Sequence, residues 1–298
     1  MAGRSPVMLA PLAIAAVLVA GHSAGGRPIV AHQLGDPAGA ERMLVVGCIH
    51  GTECAGMRIV RALRSTPLSP GVDLWLVPNL DPDGLAEGTR LNGRGVDLNR
   101  NFPAGWRPGG RPGDLQYPGT RPFSEPETRA ARRLIDQIRP DVTIWYHQHM
   151  DLVWAWGPSR APGAAYARAA RMRFAPMPWL AGTAPHWQNT ALGQRSFVVE
   201  LPAGPLTAEA ARRHARGVLA AGLACAACPS CSSWSPMPSA ASRPATCSSA
   251  ARPASTFGRR ARGAPERATP AGQRASGSAP PYSCSMSPRA SSPSAWRR

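Results

Sequence analysis

At 298 residues the chain has room for one sizeable α/β core or two small ones, and its net charge of +17 comes from 34 arginines set against 17 acids, with no lysine. The charge is uneven: residues 225–298 hold ten Arg and one acid, Glu266, a balance of +9, while the first 224 residues keep +8. An Arg-only bias of the kind GC-rich coding produces, concentrated in a tail, argues against specific nucleic-acid recognition and leaves a solvated basic segment whose natural contact is an anionic surface.

In chain order, Arg4 precedes an apolar run from Val7 to Ala20, which has the length of the hydrophobic stretch of an export signal. It falls short of the ~20 apolar residues a membrane-spanning helix needs. The expectation is a signal peptide or anchor over residues 1–20, an exported protein, and a folded domain over 21–222. Met43–Cys48 and Val72–Pro78 read as buried strands, and Ala55, Ile59, Val60 and Leu63 between them fall at helical spacing over 53–64. Ser124 with Glu127 three residues on predicts a helix start. Pro126 is tolerated in its first turn, Ala130, Leu134, Ile135 and Ile138 form its apolar face, and Pro140 stops it. Strands are expected at 141–146, 152–156 and 196–201, and Thr207 is placed to cap a last helix ending at Gly222. Strands alternating with helices predict an α/β fold, a mostly parallel or mixed central sheet with helices on both faces.

Ligands of such sheets gather beyond the carboxyl ends of the strands. There the sequence puts His50 and Glu53 after the first apolar run, Asn79–Gly84 after the second, His147 and His149 after the third, and Glu200 at the end of the last. Two His and one Glu suit a catalytic zinc with an open position, yet an H-x-x-E pair alone is a weak signal. Glu200 closes an apolar strand, where an unpaired carboxylate is costly to bury, so it should face a site or a partner. Cys48 and Cys54 are near enough in sequence to be disulfide candidates. The other five cysteines lie in the tail, and the run Cys225, Cys228, Cys231 lacks the surroundings of a metal site.

Six segments, GCIHGTE (47–53), NLDPDG (79–84), TRLNGRGVDLNRNFP (89–103), SEPET (124–128), WYHQH (145–149) and SFVVEL (196–201), together resemble the zinc carboxypeptidase family, in family order over some 180 residues. The resemblance implies one Zn2+ per chain held by His50, Glu53 and His147, with Glu200 as the catalytic carboxylate and Arg90 polarising the scissile carbonyl. It further implies that Asn99 and Arg100 grip the substrate's terminal carboxylate, a task for a planar, bidentate guanidinium. His147 rather than His149 matches the ligand position at the strand end, and His149 is left as a substrate contact. Trp187 falls where family members carry the loop that closes over the substrate. The family's compact bacterial members, which act on murein peptides, match the short domain best.

The function so implied is hydrolysis of an amide bond near a free carboxylate of a peptide or murein peptide by a monomeric enzyme. The alternatives are an N-acyl amino acid deacylase of the aspartoacylase-like type and a catalytically silent peptide-binding protein. Residues 223–298 are expected to be either a disordered Pro/Ser-rich extension or an out-of-frame reading of GC-rich DNA.

Overall fold

The computed structural model describes residues 14–226. They form one eight-stranded sheet in the order β1-β2-β4-β3-β5-β8-β6-β7. At its centre β4 (Val72–Val77), β3 (Glu41–Val46), β5 (Val142–Gln148) and β8 (Arg195–Leu201) run parallel. All six residues of β4 and the first six of β5 are buried, the unbroken apolar pattern of strands covered on both faces. The hairpin β1 (Ile14–His22) and β2 (Pro28–Gly35) adds an antiparallel edge beside β4. At the other edge β6 (Leu152–Trp154) lies antiparallel to β8 and β7 (Arg173–Ala175) parallel to β6.

Helices cover both faces, as expected. One core joins α1 (Gly56–Leu63), α4 (Arg160–Ala170) and α6 (Ala208–Ala226) to the sheet through Ile59, Leu63, Tyr166, Ala215 and Val218. The opposite core packs α3 (Pro126–Ile138) and α5 (Ala184–Ala191) through Ala130, Leu134, Ile135 and Trp187 against Leu44, Val46, Trp145 and Val198. The remaining helix, α2 (Pro82–Glu87), carries the chain away from β4.

Both expected domain limits move. Residues 14–20, read as part of an export signal, belong to the sheet: Leu18 pairs with Ala31, Ala20 is buried, and its carbonyl accepts from Arg133 at 3.0 Å. A short apolar run has the same hydropathy whether it is a leader or a sheet edge, so composition could not separate the two. The turn after β1 is fixed too, since Ser23 Oγ donates to Asp83 at 2.8 Å and Gly25 N at 2.6 Å. At the far end α6 runs on to Ala226, and Gly222 sits inside it against the side-chain ends of Glu41 and Met43 of β3. The Thr207 cap holds, its hydroxyl accepting from Ala210 N at 3.1 Å. By contrast α3 starts after Glu125 rather than Ser124, whose hydroxyl donates to the Glu125 side chain. The expectation for residues 227–298 lies outside the described residues.

Candidate metal centre

The chain leaves β3 in a tight turn. Gly47 N donates to Val77 O at 2.9 Å, Leu80 N to Cys48 O at 2.8 Å, and Glu53 N closes back on His50 O at 2.9 Å. His50 and Glu53 therefore stand on a turn ahead of α1, which begins only at Gly56, and not on a helix start. Cys48 and Cys54 form a disulfide with Cα atoms 4.6 Å apart, bracketing both residues. A Cβ on Gly51 would overlap the backbone of Gly84, so this turn and the start of α2 are in direct backbone contact.

His147 comes from the end of β5, and its ladder partner on β8 is Glu200. His50 Nδ1 and His147 Nδ1 each lie 3.0 Å from the same oxygen, Glu53 Oε2, and the ligand atoms of the three residues fall within 4.8 Å of one another. All three side chains are buried. On the far side of the His50 ring, Nε2 lies 2.9 Å from Asp97 Oδ1. A carboxylate there accepts from the Nε2 N–H and turns Nδ1 toward the point the three side chains share, which is how metal-ligating imidazoles are usually oriented. Two imidazoles and one carboxylate converging on one point suit Zn2+ with a position left for a reactant.

Burial and charge compete in the cluster, and at His50 burial, which lowers the imidazole, is outweighed by the charge and hydrogen bond of Asp97 and the bond to Glu53, which raise it. Burial pushes Glu53 up, but hydrogen bonds from His147 and His50 override it and hold the carboxyl well below its usual range. Burial also pushes Asp97 up, and the charge of His50 and its hydrogen bond, then Arg90 and Arg100, bring it down. Burial lowers His147, keeping it neutral. Ionised carboxylates and a neutral imidazole are the forms a cation needs.

The segment after α2 lines the other side. Asp97 caps the short turn Leu98–Arg100 by accepting from Asn99 N at 2.9 Å. Arg90 bonds Asp97 Oδ2 at 3.2 Å and pairs with Glu53 Oε1. Asn99 Nδ2 lies 3.1 Å from His147 Nε2, and its Oδ1 accepts from Ala184 N at 3.0 Å. Asn99 thus stands against His147 and the start of α5, with Arg100, its expected partner at the substrate carboxylate, next in the chain. Among the described residues Arg100 bonds only its neighbour's carbonyl, Asn99 O, at 2.9 Å.

A cavity of about 70 Å³ opens beside this cluster, walled by Arg90, Asn99, Arg100, His147, Trp154, Trp179, Val198 and Glu200. Glu200 Oε2 is buried there without a hydrogen-bond partner among the described residues. One expectation is corrected. Trp187 is no substrate contact: it lies in α5, 6% exposed, packed on Phe102 and Phe123 at ring-centre distances of 5.7 and 5.2 Å. Its bulky apolar ring finds more surface to bury in the core than in a loop. His149 is exposed beyond the end of β5 and is not among the grouped ligand atoms, so the choice between the two histidines falls to His147.

Sequence reading gave no role to Asp97, Trp154 or Trp179. Asp97 was visible as an acid inside the GVDLNRNF segment, but its partner His50 is 47 positions away and only the fold joins them. The two tryptophans, stacked with ring centres 6.3 Å apart, sit on segments of no recognisable motif.

Comparison with known proteins gives the same assignment. Residues 12–185 match the family described as zinc carboxypeptidase. Murein peptide amidase A of Escherichia coli K12 is 34% identical over 122 residues, 37% of this chain and 50% of that protein. Bacteriocin BCN5 of Clostridium perfringens is 32% identical over 139 residues, 41% of this chain and 15% of that protein. The chain thus spans half or less of the length of these curated relatives. Among solved structures, murein-tripeptide amidase MpaA of Escherichia coli O157 superposes with a TM-score of 0.56 at 26% identity, covering 69% of this chain and 90% of that one. Carboxypeptidase A of Helicoverpa armigera gives 0.64 at 19% identity, covering 73% and 70%, a likeness of fold. With the match extending over more than half of its length and the ligand trio in place, the chain belongs to the zinc carboxypeptidase family.

Proposed function

We propose that this chain is a zinc-dependent peptidase that hydrolyses the amide bond next to a free carboxylate, with a murein peptide or a similar short peptide as substrate. The observation that carries this reading is Glu200: a carboxylate oxygen buried without a partner, on the strand position paired with the ligand His147 and on the wall of the cavity. A protein that merely bound peptides would have no use for so costly a group.

Zinc held by His50, Glu53 and His147 supplies Lewis acidity, which polarises a carbonyl and makes water nucleophilic near neutral pH. The chain's own groups do the rest. Glu200 Oε2, free of partners, accepts the proton of the attacking water and returns it to the departing amine. Arg90 brings a permanent positive charge to the cavity wall, where charge develops on the carbonyl oxygen. Arg100, at the same wall, meets the substrate carboxylate. Asp97 holds the ring of His50 in the orientation this requires. The Cys48–Cys54 bridge supports an exported, oxidising location, now that the apolar run near the start is partly a strand.

The test is Glu200→Gln. An enzyme loses roughly 10²–10⁴-fold in turnover of peptides with a free carboxylate, the usual worth of a general acid–base group, while zinc content stays the same. A variant that turns over peptide as fast as the parent sinks the assignment.

A further inference from the structure

The two helical layers differ in how they use arginine. On the face turned away from the zinc cluster, α6 lies between α1 and α4. Here α1 carries Arg58 and Arg61, α4 carries Arg160 and Arg168, and α6 carries Arg212 and Arg216, all of them exposed. Among the described residues none of these six side chains has a hydrogen-bond or ion-pair partner. No acid lies within α1 or α4, and α6 has only Glu209. The other layer is balanced. Within α3, Arg132 lies 3.4 Å from Asp136, Arg129 donates to Phe123 O at 3.1 Å, and Arg133 donates to Ala20 O at 3.0 Å. Neither Arg, Asp nor Glu occurs in α5. A coding bias toward arginine would load both layers alike. It does not explain why one layer bonds its arginines and the other turns them all to solvent, where like charges on a rigid surface repel until an anionic partner relieves them.

The shape of the patch and its apolar rim narrow the partner. Three helices side by side make a broad face, which suits a surface better than a single polymer strand. α4 and α6 run antiparallel: Arg213 Nε donates to Ala170 O at 3.0 Å, and Gly217 sits against the Tyr166 ring. Continued along both helices, this register brings Arg160 level with Leu223. Leu223 is exposed, and so is Trp156, one turn ahead of Arg160. A bilayer interface takes both kinds of group, cations at the headgroups and apolar side chains at the acyl boundary. A soluble polyanion has nothing to offer Trp156 and Leu223.

We propose that the layer of α1, α6 and α4 docks on a bilayer surface rich in anionic phospholipid. Its arginines meet headgroup phosphates, and Trp156 and Leu223 enter the boundary below them. Tyr146 of β5 turns toward this layer and His147 away from it, so docking leaves the cavity open to peptide.

The experiment is sedimentation of the full chain with phosphatidylcholine vesicles, with and without phosphatidylglycerol. The face variant is Arg168→Glu with Arg212→Glu and Arg216→Glu. A control with the same change in charge is Arg259→Glu with Arg260→Glu and Arg262→Glu, in the basic segment beyond the described residues. A milder face variant, Arg58→Gln with Arg61→Gln, guards against misfolding of the first, and circular dichroism checks each. The parent is expected to bind only vesicles that contain phosphatidylglycerol. At about fivefold per arginine near an anionic surface, the face variant loses about 100-fold or more in affinity and the milder one about 25-fold, with the control at least about tenfold less affected than the face variant. Trp156→Ser with Leu223→Ser weakens vesicle binding and leaves binding of soluble polyphosphate unchanged. No dependence on phosphatidylglycerol, or a control that loses as much as the face variant, overturns the docking face. A Ser pair that binds vesicles as the parent does overturns the bilayer as its partner.

Discussion

Two adjacent residues of β5, Tyr146 and His147, send their side chains to opposite faces of the sheet, and each enters a buried polar chain that contains histidine. On the face of α4 and α6, Tyr146 Oη lies 2.8 Å from Tyr166 Oη, which lies 2.8 Å from His214 Nδ1. Burial raises both phenols, drives His214 down to about 4, and so keeps every member neutral. On the other face His147 joins Glu53, His50, Asp97 and Arg90, a chain of charged groups beside a cavity, with Glu200 Oε2 left unpartnered. The first chain is closed and stabilises a core. The second keeps its ions and an open atom at the cost of desolvation, which is the arrangement chemistry needs. Burial and hydrogen bonding are common to both, so neither identifies a site. What does is retained charge next to unfilled space.

Substitutions on each face sharpen this contrast. The largest effect is expected from Trp187→Ala on the metal-bearing face. Removing a ring packed on Phe102 and Phe123 costs about 3–5 kcal/mol in denaturant unfolding, and the preference among peptide substrates does not change. A rise in KM at constant stability would instead return Trp187 to the substrate loop. Next comes His214 on the closed face. Its folded pKa is depressed from 6.5 to about 4, so its stabilisation is complete above pH 6.5 and is lost as pH falls through about 4. That amounts to about 3 kcal/mol between those limits. His214→Gln, which keeps an acceptor for Tyr166, should flatten this part of the stability profile, and an unchanged acid limb would show that the chain is not closed. The smallest effect is expected from Asp97→Asn, which retains the cap on Asn99 N but loses the charge behind His50. Zinc affinity, measured by chelator competition, should fall about 10–100-fold. Identical zinc affinity in the variant would mean that the imidazole is oriented by its turn alone.

Much of this was legible in the residues themselves. The parallel centre of the sheet followed from apolar runs alternating with helices, and the ligand trio with Glu200 from the resemblance that six segments carry. What escaped had physical causes. β1 was misread because seven apolar residues have the same composition in a leader and in an edge strand. Trp187 was misplaced because position within a family pattern says where a residue falls in the chain, not which way its ring turns. Asn99 meets His147 and Ala184, contacts that are made only when distant segments come together.

The pairing of His147 with Glu200 across β5 and β8 has one more consequence. The two side chains, proposed to act on the same bond, are spaced by the hydrogen-bond ladder, at one inter-strand step of about 4.8 Å, and not by the residues that separate them in sequence. A slip of one residue would turn one of them to the opposite face, so the ladder permits a single alignment. Trp154, Trp179 and Leu180, which the chain between these two strands supplies to the cavity walls, are then at liberty to change in size and polarity. Substrate preference can be rewritten there while the alignment of ligand and base stays where the backbone has set it.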